Sequence, residues 1–565
     1  MKKRDESDRV LFAILLFVFT LLAPPASAAD KPTPPALVAV FNDWRAFAEP
    51  ERQKGIPDFS ARAIARKAAG LPKLQARLAT LDHTGWTARD LADARLVEAE
   101  MNGLDFDLRV RKPWACDPDF YATIFDEESD VPAHEGTAAE TLDLFKFDYP
   151  LSAEGAASLS QRLRAVPPML EQAHAWLAGS HAADLWRYGA RAFLEQADAL
   201  DALLAGTLQM RTLEGLKSAN LRFAGESVRA DAIAARDASR AFARWIAAQA
   251  PNKSGPSGVG KENYSWYMAH VQLVPYDWDQ QAALLQRELE RAWASLSLEE
   301  FRNRALPELQ PIEDPAAARA FSVKKMDDLT DFIIASGFVP DKPWYRAAMK
   351  AQAMDFTPLQ DRNFFTHASA RDPWPLYSHF IHWTELARVK NEPDPSPIRR
   401  VAPLFNIYAA RSEGFATGFE ELLMHAGLYK DNPGGREIVW IMLANRAARG
   451  LASLRVHANE ISLAEAGQFH SKWTPRHWAD SSSKLVGFEQ LLYLRMPGYG
   501  TSYIVGKALL DRLIAERAHA ATLRGESVEV PKIFAAIASE GVIPWSLMGA
   551  EDAGEEKAQK SKPAQ

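Results

Sequence analysis

Apolar side chains recur every three or four residues through much of this 565-residue chain. Ala238, Phe242, Trp245 and Ile246 form one such series, and Leu285, Leu289, Trp293 and Leu296 form another. Residues at these spacings share one face of an α-helix, so each segment has an apolar stripe to bury against a neighbour. Alternating patterns suited to strands are rare, and His270–Val274 (HVQLV) is the best short case. Alanine, leucine, arginine and glutamate, all good helix formers, are abundant. The expectation is an all-α or nearly all-α fold. Cys116 is the one cysteine. No intrachain disulfide can form, and stability must come from a packed core, which a chain of this length can build.

The N-terminus reads as a targeting segment. Lys2, Lys3 and Arg4 precede an apolar run from Val10 to Leu22, and Ala26 and Ala28 fit the small-residue rule for cleavage after Ala28. That run falls short of the roughly 20 residues a membrane span needs, and no later stretch is apolar enough. Residues 1–28 are therefore expected to be a signal peptide, and the mature chain to be exported, periplasmic or secreted, with no membrane span. The Pro251 to Gly260 segment (PNKSGPSGVG) is turn chemistry. It divides the chain into an N-terminal helical half, 29–250, and a C-terminal half, 262–550, that carries the candidate site. Residues 551–565 are charged, lack apolar anchors and are expected to be disordered. A net charge of −7 without a long basic run argues against nucleic acid as a partner.

Several short motifs bear on function. Gly255 to Lys261 (GPSGVGK) matches the phosphate-loop pattern, but Glu262 stands where a magnesium-binding Ser or Thr belongs, and a helix rather than a strand precedes it. The segment reads as an inter-helix loop. His379 and His382 are three apart, a spacing that puts both imidazoles on one helix face, and Glu385 extends that face. A helix from about Leu376 to Arg388 would have to carry both into a pocket. Glu413 and Glu420 are seven apart and share a face of the next helix. Either glutamate could join the histidines around a metal. His457 lies just before an expected helix start at Ser462, whose Glu465 completes a capping box. It is expected on a loop, where functional groups often project. Tyr499 and Tyr503 follow a Pro/Gly-rich turn and could donate hydrogen bonds to a ligand or to developing negative charge, or serve only in packing. The chain contains neither HExxH nor GxSxG, and Cys116 lacks a local catalytic signature.

In order, the segments EGFA (413–416), VHANEISLAEA (456–466) and MPGYGTSYIVGK (496–507) resemble motifs of the bacterial DUF885 family. The resemblance is clearest from Asn220 onward and weaker before about Leu200. It implies an exported, large multi-helix body, zincin-like, with a central cleft, related to helical zinc peptidases. In the best register with the family's HExxPGH element, His379 matches the second histidine, Pro373 replaces the first ligand and Trp374 replaces the glutamate base. Glu413 matches the acidic residue of the family's EGWA element. The resemblance thus implies a degenerate site in which zinc, if held, uses His379, His382 and Glu413. His457 and Tyr503 would be catalytic or ligand-binding groups, Tyr499 a ligand-binding group, and Glu385 or Glu421 a stand-in base. Three readings stay open: a scaffold that binds a peptide or peptide-like small ligand without cleaving it, a metal-dependent peptide hydrolase with a rearranged site, and a structural envelope protein.

Overall fold

The computed structural model describes residues 32–134 and 138–548. The expected signal peptide and C-terminal tail lie outside the described residues. The described chain is an assembly of α-helices, as the periodicity requires, with short two-stranded pairs between them. The longest pair is the hairpin Leu208–Thr212 and Gly215–Ala219, paired antiparallel. The strand expected at His270–Val274 is instead a turn. His270 ends the helix Lys261–His270, Leu273 takes a positive φ, and the Val274 amide returns to the Met268 carbonyl.

Helices α1 (Pro35–Ala48), α2 (Ala61–Ala79) and α3 (Ala88–Phe106) open the body. Next come α4 (Ala153–Leu177), α5 (Arg191–Ala205) and α6 (Glu226–Gln249). These build one apolar core around Leu163, Leu170, Phe193, Leu200, Phe242 and Ile246. Helices α7 (Trp278–Asn303) and α8 (Pro315–Ala335) follow. The C-terminal part then adds α9 (Trp374–His379), α10 (Ile381–Asn391), α11 (Ala409–His425), α12 (Gly434–His457), α13 (Leu463–Trp473), α14 (Lys484–Arg495) and α15 (Tyr499–Leu523).

Packing crosses the expected boundary at 251–260. Trp44, Leu96 and Phe106 from the N-terminal helices share a core with Leu289, Leu329, Leu443 and Ile504, while Val456, Leu463 and Leu491 join the core of α4 to α6. The Gly255–Lys261 segment is the inter-helix loop it was read to be. Its Gly255 amide donates to the His181 carbonyl (2.7 Å), Gly258 to Asn459 Oδ1 (2.8 Å) and Gly260 to the His457 carbonyl (2.8 Å). Those amides are committed to protein acceptors, two of them at the end of α12. Ser462 caps α13 through the expected box with Glu465.

The site depends on how closely α15 can approach its neighbours. Helices without intervening side chains pack with their backbones nearly in contact. A Cβ on Gly506 would overlap the Ala410 carbonyl of α11, and one on Gly414 would overlap the Gly506 backbone. Gly500 meets Ser453 of α12 in the same way. We expect Gly506→Ala to destabilise the chain by about 2–3 kcal/mol or more, because a backbone carbonyl cannot move aside. Gly487 lies inside α14 with nothing within 4 Å of its would-be Cβ, so Gly487→Ala should gain about 0.5–1 kcal/mol from reduced chain entropy. Urea titration of both variants checks the pair; a Gly506→Ala chain as stable as the parent contradicts the close crossing.

Candidate metal centre and its cavity

The two histidines reach the site across a bend, not along one helix. The expected continuous helix from Leu376 to Arg388 breaks at Phe380 (φ −67°, ψ 6°), which ends α9 and precedes α10. Side-chain anchors hold the short α9 against α8. The Tyr377 hydroxyl meets Ser322 Oγ (2.6 Å) and accepts from the Met354 amide (2.9 Å), and the Trp374 indole donates to the Lys325 carbonyl (2.9 Å). Trp374 is thereby spent on packing between α8 and α9. The bend leaves the His379 and His382 rings perpendicular, with centroids 4.9 Å apart.

Both rings face Glu413 on α11. His379 Nε2 lies 3.2 Å and His382 Nε2 3.4 Å from the same oxygen, Glu413 Oε2. One ligand atom from each of the three residues falls within 4.8 Å of the others. Around a tetrahedral ion with bonds near 2.1 Å, adjacent donors stand about 3.4 Å apart, so the Glu413 contacts already have the required spacing. The other Glu413 oxygen accepts a hydrogen bond from the Tyr499 hydroxyl (2.6 Å).

Behind His379, the Nδ1 atom sits between a donor and an acceptor. Arg446 Nη2 approaches at 3.2 Å and Glu420 Oε1 at 2.9 Å. With the proton on Nε2, Nδ1 accepts from Arg446 and His379 donates to Glu413. Glu420 Oε1 is then a buried carboxylate oxygen with no hydrogen bond among the described residues. With the proton on Nδ1, Glu420 gains its donor and Nε2 turns a lone pair toward Glu413, as a metal-binding histidine must. The orphaned oxygen and the two-histidine, one-carboxylate donor set therefore fit a divalent ion such as zinc.

Electrostatics keep the cluster charged without one. Burial opposes ionisation of Glu413, but hydrogen bonds from His379 and His382 hold its carboxyl well below the usual range. Burial opposes protonation of His382, yet the Glu413 carboxylate overcomes it and lifts the imidazole to about 9.

A cavity of about 530 Å³ lies over this centre, with His379, Glu413, Arg446, Arg449, Glu489 and Tyr503 on its walls. Tyr503 stacks near the His379 ring and lies beneath the Arg449 guanidinium, 4.2 Å from its carbon. Glu385 is not in the cluster. Arg411 holds it through two hydrogen bonds (2.5 and 3.2 Å), and it does not line the cavity. Glu421 is likewise engaged by Arg291 and Lys507. His457 ends α12, not a loop; it is buried, lies outside the cavity lining and contacts the Tyr493 carbonyl through Nε2 (2.9 Å). The groups that the sequence reading missed are Arg446, Arg449 and Glu489. Two arginines three apart inside the run IVWIMLANRAARGLASL were the available signal: charge on an otherwise apolar helix has to find buried partners.

A family model described as bacterial protein of unknown function (DUF885) matches residues 46–329, half of the chain. The chain belongs to the DUF885 family. The matched segment begins well before Leu200 and stops short of His379, so it covers neither the candidate metal cluster nor the three C-terminal motifs. No curated protein matches the sequence. Among solved structures, a candidate lipoprotein of unknown function from Shewanella oneidensis superposes with a TM-score of 0.62 at 13% identity, covering 92% of this chain and 99% of its own. A candidate lipoprotein from Colwellia psychrerythraea gives 0.59 at 12%, covering 93% and 97%. At these identities the superpositions show a shared fold alone.

Away from the cluster, burial holds His457 down to about 4 and His470 to about 3, Arg449 adding to the effect at His470. Both are neutral when folded, and the unfolded chain takes up protons they refuse between those values and about 6.5. Their contribution to stability is therefore present above about pH 6.5 and lost as pH falls. In urea titrations, the parent chain's advantage over His470→Gln should shrink by about 1.4 kcal/mol per unit between pH 6 and 4. A difference that stays constant across that range contradicts a buried neutral His470.

Proposed function

We propose that the cavity binds a peptide-like ligand through its carboxylate, with a metal ion held by His379, His382 and Glu413 at its floor. The observation that carries this reading is the convergence of both imidazoles on one Glu413 oxygen beside two arginines. Arg446 and Arg449 are buried in the cavity wall, and each keeps an Nε–H without an acceptor among the described residues. Buried donors of this kind favour an anionic partner, and guanidinium is well matched to carboxylate. Tyr503 supplies a flat aromatic surface between them and His379. When bound, the ion would polarise a carbonyl or water oxygen. Tyr499 fixes the orientation of Glu413, and Glu420 fixes the His379 tautomer.

The reading is of a peptidase-like scaffold that binds more readily than it cleaves. Glu385 and Glu420 each pair with an arginine in the interior, and neither lines the cavity. Hydrolysis is the second reading, and Glu489 is what favours it: it lies on the cavity wall, and burial raises its carboxyl despite Arg449. Export to the cell envelope, as for the two candidate lipoproteins that share the fold, suits either reading.

Elemental analysis after zinc loading and gel filtration should find about one equivalent in the full chain and almost none in His379→Ala or Glu413→Gln. Glu420→Gln should bind about 10–100-fold more weakly, the usual cost of losing a carboxylate behind a ligating histidine. Triglycine should bind at least about tenfold more tightly than its C-terminal amide, and Arg449→Lys should reduce that preference. A parent chain that retains no zinc and shows no preference for the free carboxylate overturns the proposal. Metal-dependent release of glycine that Glu489→Gln abolishes would decide for hydrolysis.

A further inference from the structure

A second cavity of about 740 Å³ adjoins the first. Asp130, Arg211, Phe488 and Leu492 line both, so the two meet along those side chains. The outer cavity is strongly acidic. Asp119, Asp126, Glu128 and Asp130 line it, together with Glu195 and Asp198 from α5. The arginines on its walls already have partners: Arg191 pairs with Glu195 (2.6 Å), Arg495 with Asp117 (2.8 Å), and Arg211 donates to Gln352 (2.8 Å) while lying over Phe380 and Trp383. Carboxylates remain in excess.

One of them points to a missing partner. Asp119 is 3% exposed, its Oδ1 accepts no hydrogen bond among the described residues, and its Oδ2 lies 3.8 Å from Arg495. A buried carboxylate oxygen without a donor is costly unless a cation or donor reaches it. Burial accordingly pushes the Asp119 carboxyl upward, with Asp117 adding to the effect. Phe125 and Phe488 line the same walls, Phe125 against the His134 ring and Phe488 already beneath the Arg191 guanidinium.

We propose that this outer cavity is the subsite for a cationic amine, the ammonium end of the peptide-like ligand whose carboxylate binds at Arg446 and Arg449. The common ligand rests on the reading of the inner cavity given above. The ligand class is then an unblocked peptide or diamino-acid peptide, dipolar along its length, with negative charge toward the metal centre and positive charge toward Asp119. Opposite potentials at the two ends would also fix the direction in which such a chain lies.

Two probes separate this claim from the inner one. Titrating 1,5-diaminopentane into the full chain by calorimetry at low salt should give saturable binding. Asp119→Asn/Asp126→Asn should weaken it at least about tenfold, and Arg449→Lys should leave it unchanged. Near-UV circular dichroism confirms that the variants keep the native fold. N-acetylation of triglycine should cost about tenfold in the parent and nothing in the double variant. Diamine that fails to bind, or binds the double variant equally well, overturns the proposal; so does an acetylation penalty that survives in the double variant. Lost carboxylate preference with the diamine result intact would instead overturn the inner-cavity reading and leave the amine subsite standing.

Discussion

Glu413 is a buried carboxylate that three separate elements must reach: α9 with His379, α10 with His382 and α15 with Tyr499. A charge taken out of water is costly unless it is paired and hydrogen-bonded. Its partners arrive only because the chain bends at Phe380 and because α11 and α15 meet through Gly414 and Gly506. A longer side chain at either glycine would separate the helices and break the Tyr499 bond. The geometry of the carboxylate therefore constrains both the bend and the crossing.

The surrounding charge obeys the same rule. Arg411 takes Glu385, Arg446 takes Glu420 and Arg449 takes Glu489, all in the buried interior. Removing one partner from such a pair leaves an uncompensated buried ion and typically costs about 3–5 kcal/mol. The network is therefore weak evidence for stability and better evidence for fixed geometry. It holds the side chains around His379 in one arrangement, with Glu420 placed to accept from the Nδ1–H tautomer of that ring. Of the three carboxylates only Glu489 lines the cavity, and its pairing with Arg449 is why the proposed function leans toward binding.

Much of this was legible in the sequence, for reasons that differ by residue. Helical periodicity is a local property, and it gave the all-α class and the Ser462 capping box directly. His379, His382 and Glu413 could be grouped from spacing and motif order, and they do converge. The break at Phe380 could not be read, because tertiary anchors on Tyr377 and Trp374 impose it against local helix preference. His457 was misplaced by the same local logic: α12 runs on to His457 because the Gly258–Gly260 loop covers its end. Glu385 looked available because nothing in its neighbourhood foretold Arg411, which lies 26 positions on. The outer cavity was invisible, since Asp119, Glu195 and Arg211 meet only in three dimensions.

The family match and the site divide the molecule in an informative way. Residues 46–329 contain Asp119, Asp126, Glu195 and Arg211, the walls of the outer cavity. His379, Glu413, Arg446 and Glu489 all lie beyond that segment. The two parts are not independent bodies, because each core draws residues from both. A ligand that spanned both cavities would touch the family-matched part at one end and the metal cluster at the other. Asp130 and Arg211, which line both cavities, stand where those parts meet. Arg211 is held there by Gln352 and by lying over the rings of Phe380, at the bend itself, and Trp383, just after His382. The junction is therefore shared: the same arginine walls both cavities and lies over the ring of Phe380, where the chain bends between His379 and His382.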